Sequence, residues 1–394
     1  MGKALSLYLN LMRALAALAV YLFHAQHFSK LRVPVIGNLG NEAVIVFFVL
    51  SGLLITGSAL RQKALGLFLQ ARLARLWSVA LPALGLTMVA DLFGQYLSLA
   101  SYYPMMPYSP FKWIASLGIN ALFLNQVWDL NIFPGTNGVF WSLSYEFWYY
   151  VIFAAFFYFR GKTQIVAVAC SLLIAGPSIV IGLPIWALGA VTYLAVKRIK
   201  PHSMQGWGWG LWLGSFLIML LWGSADLDMR LAAAFPDLME NAKWPVDFWP
   251  ASYLIGIITA ANIYGFAHVG HRFTGILDKA SPVISFGADI SFGLYLFHYP
   301  LMYLSRAVCN SLGLVDGGLF IGILYVIPFV LSVGLASYFE RSKDKVAHVI
   351  SRIADKMDSY RHKARTGPFI TAWSDDLHEP DAVGHAQDTS GTKP

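Results

Sequence analysis

Repeated runs of about 20 apolar residues, each long enough to cross a bilayer as a helix, constrain this chain more than any other feature of its sequence. They fall at Tyr8–Phe28, Leu39–Leu60, Leu73–Leu92, Phe140–Phe159, Thr163–Ile181, Leu183–Val196, Gly206–Gly223, Pro250–Phe266, Ser285–Leu304 and Leu319–Phe339. These runs override the two or three soluble domains that a chain of 394 residues would otherwise suggest. The sixth run is short and follows the fifth through a turn expected at Gly182. Trp113–Val127 is interrupted by Asn120, Asn125 and Gln126 and reads as a re-entrant or interfacial piece. The first run is too long for the apolar core of a signal peptide and holds Arg13 and His24, so it reads as a retained first span. The composition agrees: 57% of residues are hydrophobic and 12% charged, about half the charge of a soluble protein.

Loop charge orients the spans. With the N-terminus inside, the inner loops carry Arg61, Lys63, Arg72, Arg75, Arg160, Lys162, Lys197, Arg198, Lys200, Arg272 and Lys279. The outer loops carry only Lys30, Arg32, Lys112, Arg230, Lys243 and Arg306. That bias predicts an all-α polytopic membrane protein of about ten transmembrane helices with both termini cytoplasmic. The net charge of +7 belongs to this bias, and no nucleic-acid partner is expected. No Cys/His cluster suggests a metal, and Cys170 and Cys309 read as two buried thiols. Residues 1–341 form the membrane domain. Residues 342–365 read as a cytoplasmic amphipathic basic helix against membrane lipids, with Val346, Val349, Ile350, Ile353 and Met357 at helical spacing. Residues 366–394 read as a disordered polar tail. The outer segment Ser224–Trp249 reads as a cap over a substrate opening or a plain solvated loop.

Charges inside a membrane cost about 2.5–3.5 kcal/mol each at a helix centre and need a reason. Arg13 and His24 are eleven residues apart, so they share a helix face about 16 Å apart along the axis. Glu146 enters from the outer side at a depth comparable with His24, and the two are expected to pair, as catalytic groups or as a structural ion pair. Arg72 and Arg75 stand one turn apart at the inner end of the third span, which suits a phosphate or simple membrane anchoring. Ser51-Gly52 offers a small polar spot where a helix or ligand approaches closely. His298 lies just before Pro300 in the ninth run.

The order of these short motifs is more specific than any one of them. Arg13-x10-His24, Phe47-Phe48-Val49-Leu50-Ser51-Gly52, Arg72-Leu73-Ala74-Arg75, Trp141-Ser142-Leu143-Ser144-Tyr145-Glu146 and Tyr295-Leu296-Phe297-His298-Tyr299-Pro300 follow one another along the chain. Tyr338-Phe339-Glu340-Arg341 closes the series more loosely. The chain resembles the acyltransferase-3 family of membrane-bound O-acyltransferases, which modify bacterial polysaccharides and sugars. It departs from the usual pattern at Asn10, Ile45 and Trp77-Ser78.

The resemblance implies transfer of an acyl group, acetyl by first expectation, from acyl-CoA to a hydroxyl of a carbohydrate acceptor such as exopolysaccharide, O-antigen or glycolipid. It implies a multi-pass protein of the inner membrane with no bound cofactor, acyl-CoA being a substrate. On this reading His24 is the general base and Glu146 orients it. Arg13, Ser51, Arg72 and Arg75 hold the donor, while Trp141, Tyr145 and His298 meet the acceptor. The rival reading is a proton-coupled transporter using the His, Glu and Arg set. The sequence shows neither the inverted repeat nor the paired broken helices that many such transporters have.

Overall fold

In lipid a backbone must satisfy its own hydrogen bonds, and a helix does so within one segment. The computed structural model describes residues 2–29, 31–62, 64–102, 110–199, 205–225, 227–234 and 250–366, and no strand occurs among them. The helices are α1 (Lys3–His27), α2 (Gly40–Ala59), α3 (Leu65–Leu97), α4 (Pro110–Ala121), α5 (Trp141–Tyr158), α6 (Gly161–Ala175) and α7 (Pro177–Lys197). They continue with α8 (Gln205–Ala225), α9 (Leu227–Ala234), α10 (Pro250–Val269), α11 (Thr274–Ser311), α12 (Gly317–Ile321), α13 (Ile327–Phe339) and α14 (Lys343–Thr366). Among the described residues seven helical stretches are long and apolar enough to cross a membrane. One of these, Ala251–Ser311, joins α10 to α11 through a 3-10 turn at Gly270–Phe273. The chain is an all-α polytopic membrane protein.

The chain divides into two units, Met1–Val346 and Ala347–Pro394. In the first, α11 packs against α1, α3 and α13, α2 lies on α7, and α8 lies on α10. Large rings fill the interior, including Phe140, Tyr145, Tyr149 and Phe297, all without exposed surface. Leu15, Phe93, Ile165, Phe216 and Val330 are exposed on the outside, as an apolar surface facing lipid would be. In the second unit the described residues continue α14, with Val349 and Ile353 exposed along it. The tail from residue 367 and residues 235–249 of the outer segment lie outside the described residues.

Several boundaries differ from the sequence reading. The turn between the fifth and sixth runs is at Gly176, not Gly182. Gly176 has φ +84° and Pro177 opens α7, so a left-handed glycine ends one helix and a proline fits the first turn of the next. Gly182 is buried within α7. Helices α3 and α11 run to 33 and 38 residues, because Pro82, Pro282 and Pro300 are absorbed rather than ending them. At Pro300 the mechanism is visible. Proline leaves the carbonyl four residues back without its donor, and Asn137 Nδ2 donates to that oxygen, of Leu296, at 3.1 Å. Cys309 is buried but Cys170 is exposed; an apolar neighbourhood in sequence does not distinguish a lipid-facing surface from a protein core.

Within Trp113–Val127 the α-helix is the end of the 12-residue α4, which stops at Ala121 and rises about 18 Å against a hydrocarbon core of about 30 Å. Polar residues at its end and just beyond tie down the loop that follows, in which Asn125, Gln126, Thr136 and Asn137 are buried while Trp128 and Leu130 are exposed. Asn120 Nδ2 donates to the Ile132 carbonyl at 3.0 Å, Asn125 Nδ2 to the Phe140 carbonyl at 3.4 Å and Gln126 Nε2 to Asn131 Oδ1 at 3.1 Å. Further along, Asp91 accepts from the Thr136 backbone N–H at 3.0 Å and from its hydroxyl at 2.5 Å. Gly135, at φ +59°, brings the chain so close to Asp91 that a Cβ would stand 1.9 Å from its Oδ2. This loop delivers α5, and with it Glu146, to the middle of the bundle.

Candidate active site

Helices α1 and α11 run side by side in the same direction. Lys3 Nζ pairs with Asp278 at 3.0 Å, Arg13 Nη2 donates to Ser291 Oγ at 3.2 Å, and His24 Nδ1 lies 2.9 Å from His298 Nε2. Arg13 and His24 therefore point at one neighbour, as eleven steps of about 100° require. They reach it at different levels, and that separates the site into two parts.

The first part is a cavity of about 100 Å³ whose walls include Arg13, Phe47, Ser51, Arg72, Arg75, Ser142, Glu146, Tyr150, Ser291 and Tyr295. Five of the residues singled out from the sequence meet here: Arg13, Ser51, Arg72, Arg75 and Glu146. Glu146 accepts hydrogen bonds from Ser51 Oγ at 3.3 Å and from the Tyr150 hydroxyl. Ser51 Oγ is held from the other side by Trp186 Nε1 at 3.2 Å. Arg72 donates to Ser58 Oγ at 3.2 Å and lies over the Phe68 ring. Among the described residues no carboxylate comes within ion-pair distance of Arg13, Arg72 or Arg75. Their mutual repulsion is offset at longer range, since Arg13 interacts with Arg75 on one side and with Glu340, Glu146 and Asp289 on the other. Three guanidiniums around a small cavity, with one lining carboxylate, make a site for an anion. Planar, weakly hydrated guanidinium suits phosphate oxygens in particular.

The second part is the His24–His298 pair. It does not include Glu146, whose hydrogen bonds go to Ser51 and Tyr150. The expected His24–Glu146 pairing is thus replaced by two separate contacts. Comparable depth along two helices does not make them neighbours, and α11 occupies the face of α1 that α5 was expected to meet. The histidines stand among rings: Tyr299 lies 4.6 Å from His24 between centroids, and Tyr21 and Tyr295 lie 5.8 Å and 6.3 Å from His298. Tyr295 also lines the cavity, so one side chain borders both parts.

Trp141 and Tyr145 are not cavity walls. Tyr145 is fully buried, and Trp141 packs edge-on against it and against Phe48. Tyr150, Ser291, Tyr295 and Glu340 were not singled out as site residues. Tyr150 was findable, four residues after Glu146 and on its face of the helix. Glu340 falls in the loose closing motif. Ser291 carries no sequence signal. A larger apolar cavity of about 610 Å³ lies among α1, α2, α8 and α10, lined by Leu15, Val46, Phe216 and Ile258 among others, away from the arginines.

A family model described as an acyltransferase domain matches residues 6–338. No curated protein and no solved structure matches the chain.

Proposed function

The chain belongs to the acyltransferase-3 family, and from that premise we propose that it moves an acyl group from acyl-CoA to a hydroxyl of a carbohydrate acceptor. The acceptor class is exopolysaccharide, O-antigen or glycolipid, the acyl group is acetyl, and the setting is the inner membrane with both chain ends in the cytoplasm. The observation that supports the donor is the cavity with three arginines free of direct carboxylate partners. At about 100 Å³ it admits a narrow arm rather than a nucleotide. The nucleotide diphosphate would rest against Arg72 and Arg75, with the arm passing Arg13, Ser51 and Tyr295.

The chemistry then balances without a cofactor. The acceptor hydroxyl gives its proton to His24, its oxygen bonds to the thioester carbonyl carbon, and the carbon–sulfur bond breaks. The CoA thiolate leaves and takes the proton back from His24. A base so placed contributes about 10²–10⁴ in rate. Glu146 serves the donor side, holding Ser51 and Tyr150 at the cavity wall.

The test uses membranes carrying the protein, radiolabelled acetyl-CoA, and the glycan and glycolipid fractions of the same cells. Label should enter one of these fractions, and His24→Ala should abolish it at unchanged protein abundance. Full transfer by a well-expressed His24→Ala variant would end the assignment of the base. Proton flux without any label transfer would favour the transporter. Mass spectrometry of surface polysaccharide from a deletion strain identifies the acceptor.

A further inference from the structure

His298 has no exposed surface, and its Nδ1 lies 2.9 Å from the carbonyl oxygen of Leu294, one turn back on α11. A carbonyl oxygen can only accept, so the hydrogen of that bond sits on Nδ1. A neutral imidazole carries one N–H, which leaves His298 Nε2 as an acceptor. That Nε2 is the atom 2.9 Å from His24 Nδ1, so here His24 Nδ1–H is the donor. The neutral His24 ring then bears its free lone pair on Nε2.

We propose that His298 is a positioning residue: the Leu294 carbonyl sets its tautomer, and through it holds His24 in the tautomer whose Nε2 can take a proton. The proposal rests on His24 being the base. The local fold supplies rigidity. Asn137 Nδ2 caps the Leu296 carbonyl freed by Pro300 and also donates to Thr87 Oγ1 at 2.9 Å. This ties α11 to α3 beside His298. His24, unlike His298, keeps part of its surface exposed. When His24 Nε2 takes the acceptor's proton, the ring becomes a cation whose Nδ1–H still points at His298 Nε2. The charge is thus met by an acceptor without moving a heavy atom.

The first readout needs no substrate. Protein labelled with ¹⁵N-histidine is reconstituted in lipid, and the His24 signals are identified by their loss in His24→Ala. The expected pattern is a protonated Nδ1 and a bare Nε2, lost in His298→Phe, which keeps a ring and removes both nitrogens. The opposite tautomer in the unaltered protein, or an unchanged pattern in His298→Phe, overturns the proposal. The second readout uses radiolabelled acetyl-CoA with the native glycolipid extract. His298→Phe should lower kcat about 10²-fold with the KM for acetyl-CoA unchanged. His298→Gln, which can present an amide oxygen to His24, should recover part of it. Full kcat in His298→Phe, or no recovery in a well-folded His298→Gln, counts against it. Transfer surviving in His24→Ala would remove the base assignment instead and leave the tautomer result standing.

Discussion

The sharpest consequence of the fold concerns Gly52, beside Ser51 on α2. A Cβ placed there would stand 2.0 Å from the Trp186 carbonyl oxygen on α7, and one at Gly189 would stand 1.9 Å from the Val49 carbonyl. The two helices cross backbone to backbone, and neither carbonyl oxygen is a flexible side-chain end that can swing away. For Gly52→Ala the helices must separate by roughly 1 Å before the new methyl reaches the shortest contact real Cβ atoms make. Such overpacking costs about 1–3 kcal/mol, a fall of a few °C in Tm for the detergent-solubilised protein. The same shift drags Ser51, which donates to Glu146 and accepts from Trp186. A misplacement of about 1 Å at a reacting site costs about 10²-fold in rate, so acyl transfer should fall further than stability alone explains. Gly85, inside α3, is the control: nothing lies within 4 Å of a Cβ there. Gly85→Ala should be neutral or stabilising by about 0.5–1 kcal/mol. Thermal unfolding and transfer of radiolabelled acetyl groups are measured on both. Unchanged Tm and full transfer in Gly52→Ala would refute the close crossing as the basis of this site.

Arg75→Ala, and more so Arg72→Ala with Arg75→Ala, should raise the KM for acetyl-CoA. Each lost charge-assisted bond is worth about 1.5–3 kcal/mol, and lysine at either position should restore only part because it lacks the planar fork. An unchanged KM in the double variant would reduce both residues to membrane anchors. Asp91→Ala leaves the Thr136 N–H and hydroxyl without their acceptor and should cost about 1–3 kcal/mol in thermal unfolding; a wild-type melting curve would contradict the anchoring of the 131–140 loop. Orientation is checked in a protein with Cys170 and Cys309 changed to Ser. A single cysteine at Ser224 should react with an impermeant maleimide in intact cells, and one at Lys345 only after lysis. Labelling at Lys345 without lysis would reverse the proposed orientation.

What could be read from the sequence was one-dimensional. Apolar runs place helices because lipid allows a crossing backbone little else, and the Arg13-x10-His24 interval puts two charges on one face because the helical step is fixed. Arg13, Ser51, Arg72 and Arg75 stand around one cavity, where Glu146 joins them instead of His24, and the run holding Asn120, Asn125 and Gln126 contains the end of a short helix and a loop. Depth along an axis, however, says nothing of which helix stands alongside. His24 and Glu146 were matched by depth and are bound to different partners, His298 on one side and Ser51 with Tyr150 on the other. Residues far apart in the chain decide that, through packing such as the Gly52–Gly189 crossing and the parallel run of α1 along α11. In a membrane, where lipid is as apolar as the helix faces it covers, hydrophobicity alone selects no partner. Close backbone approach and a few polar contacts make the choice, and those exist only once the helices are assembled.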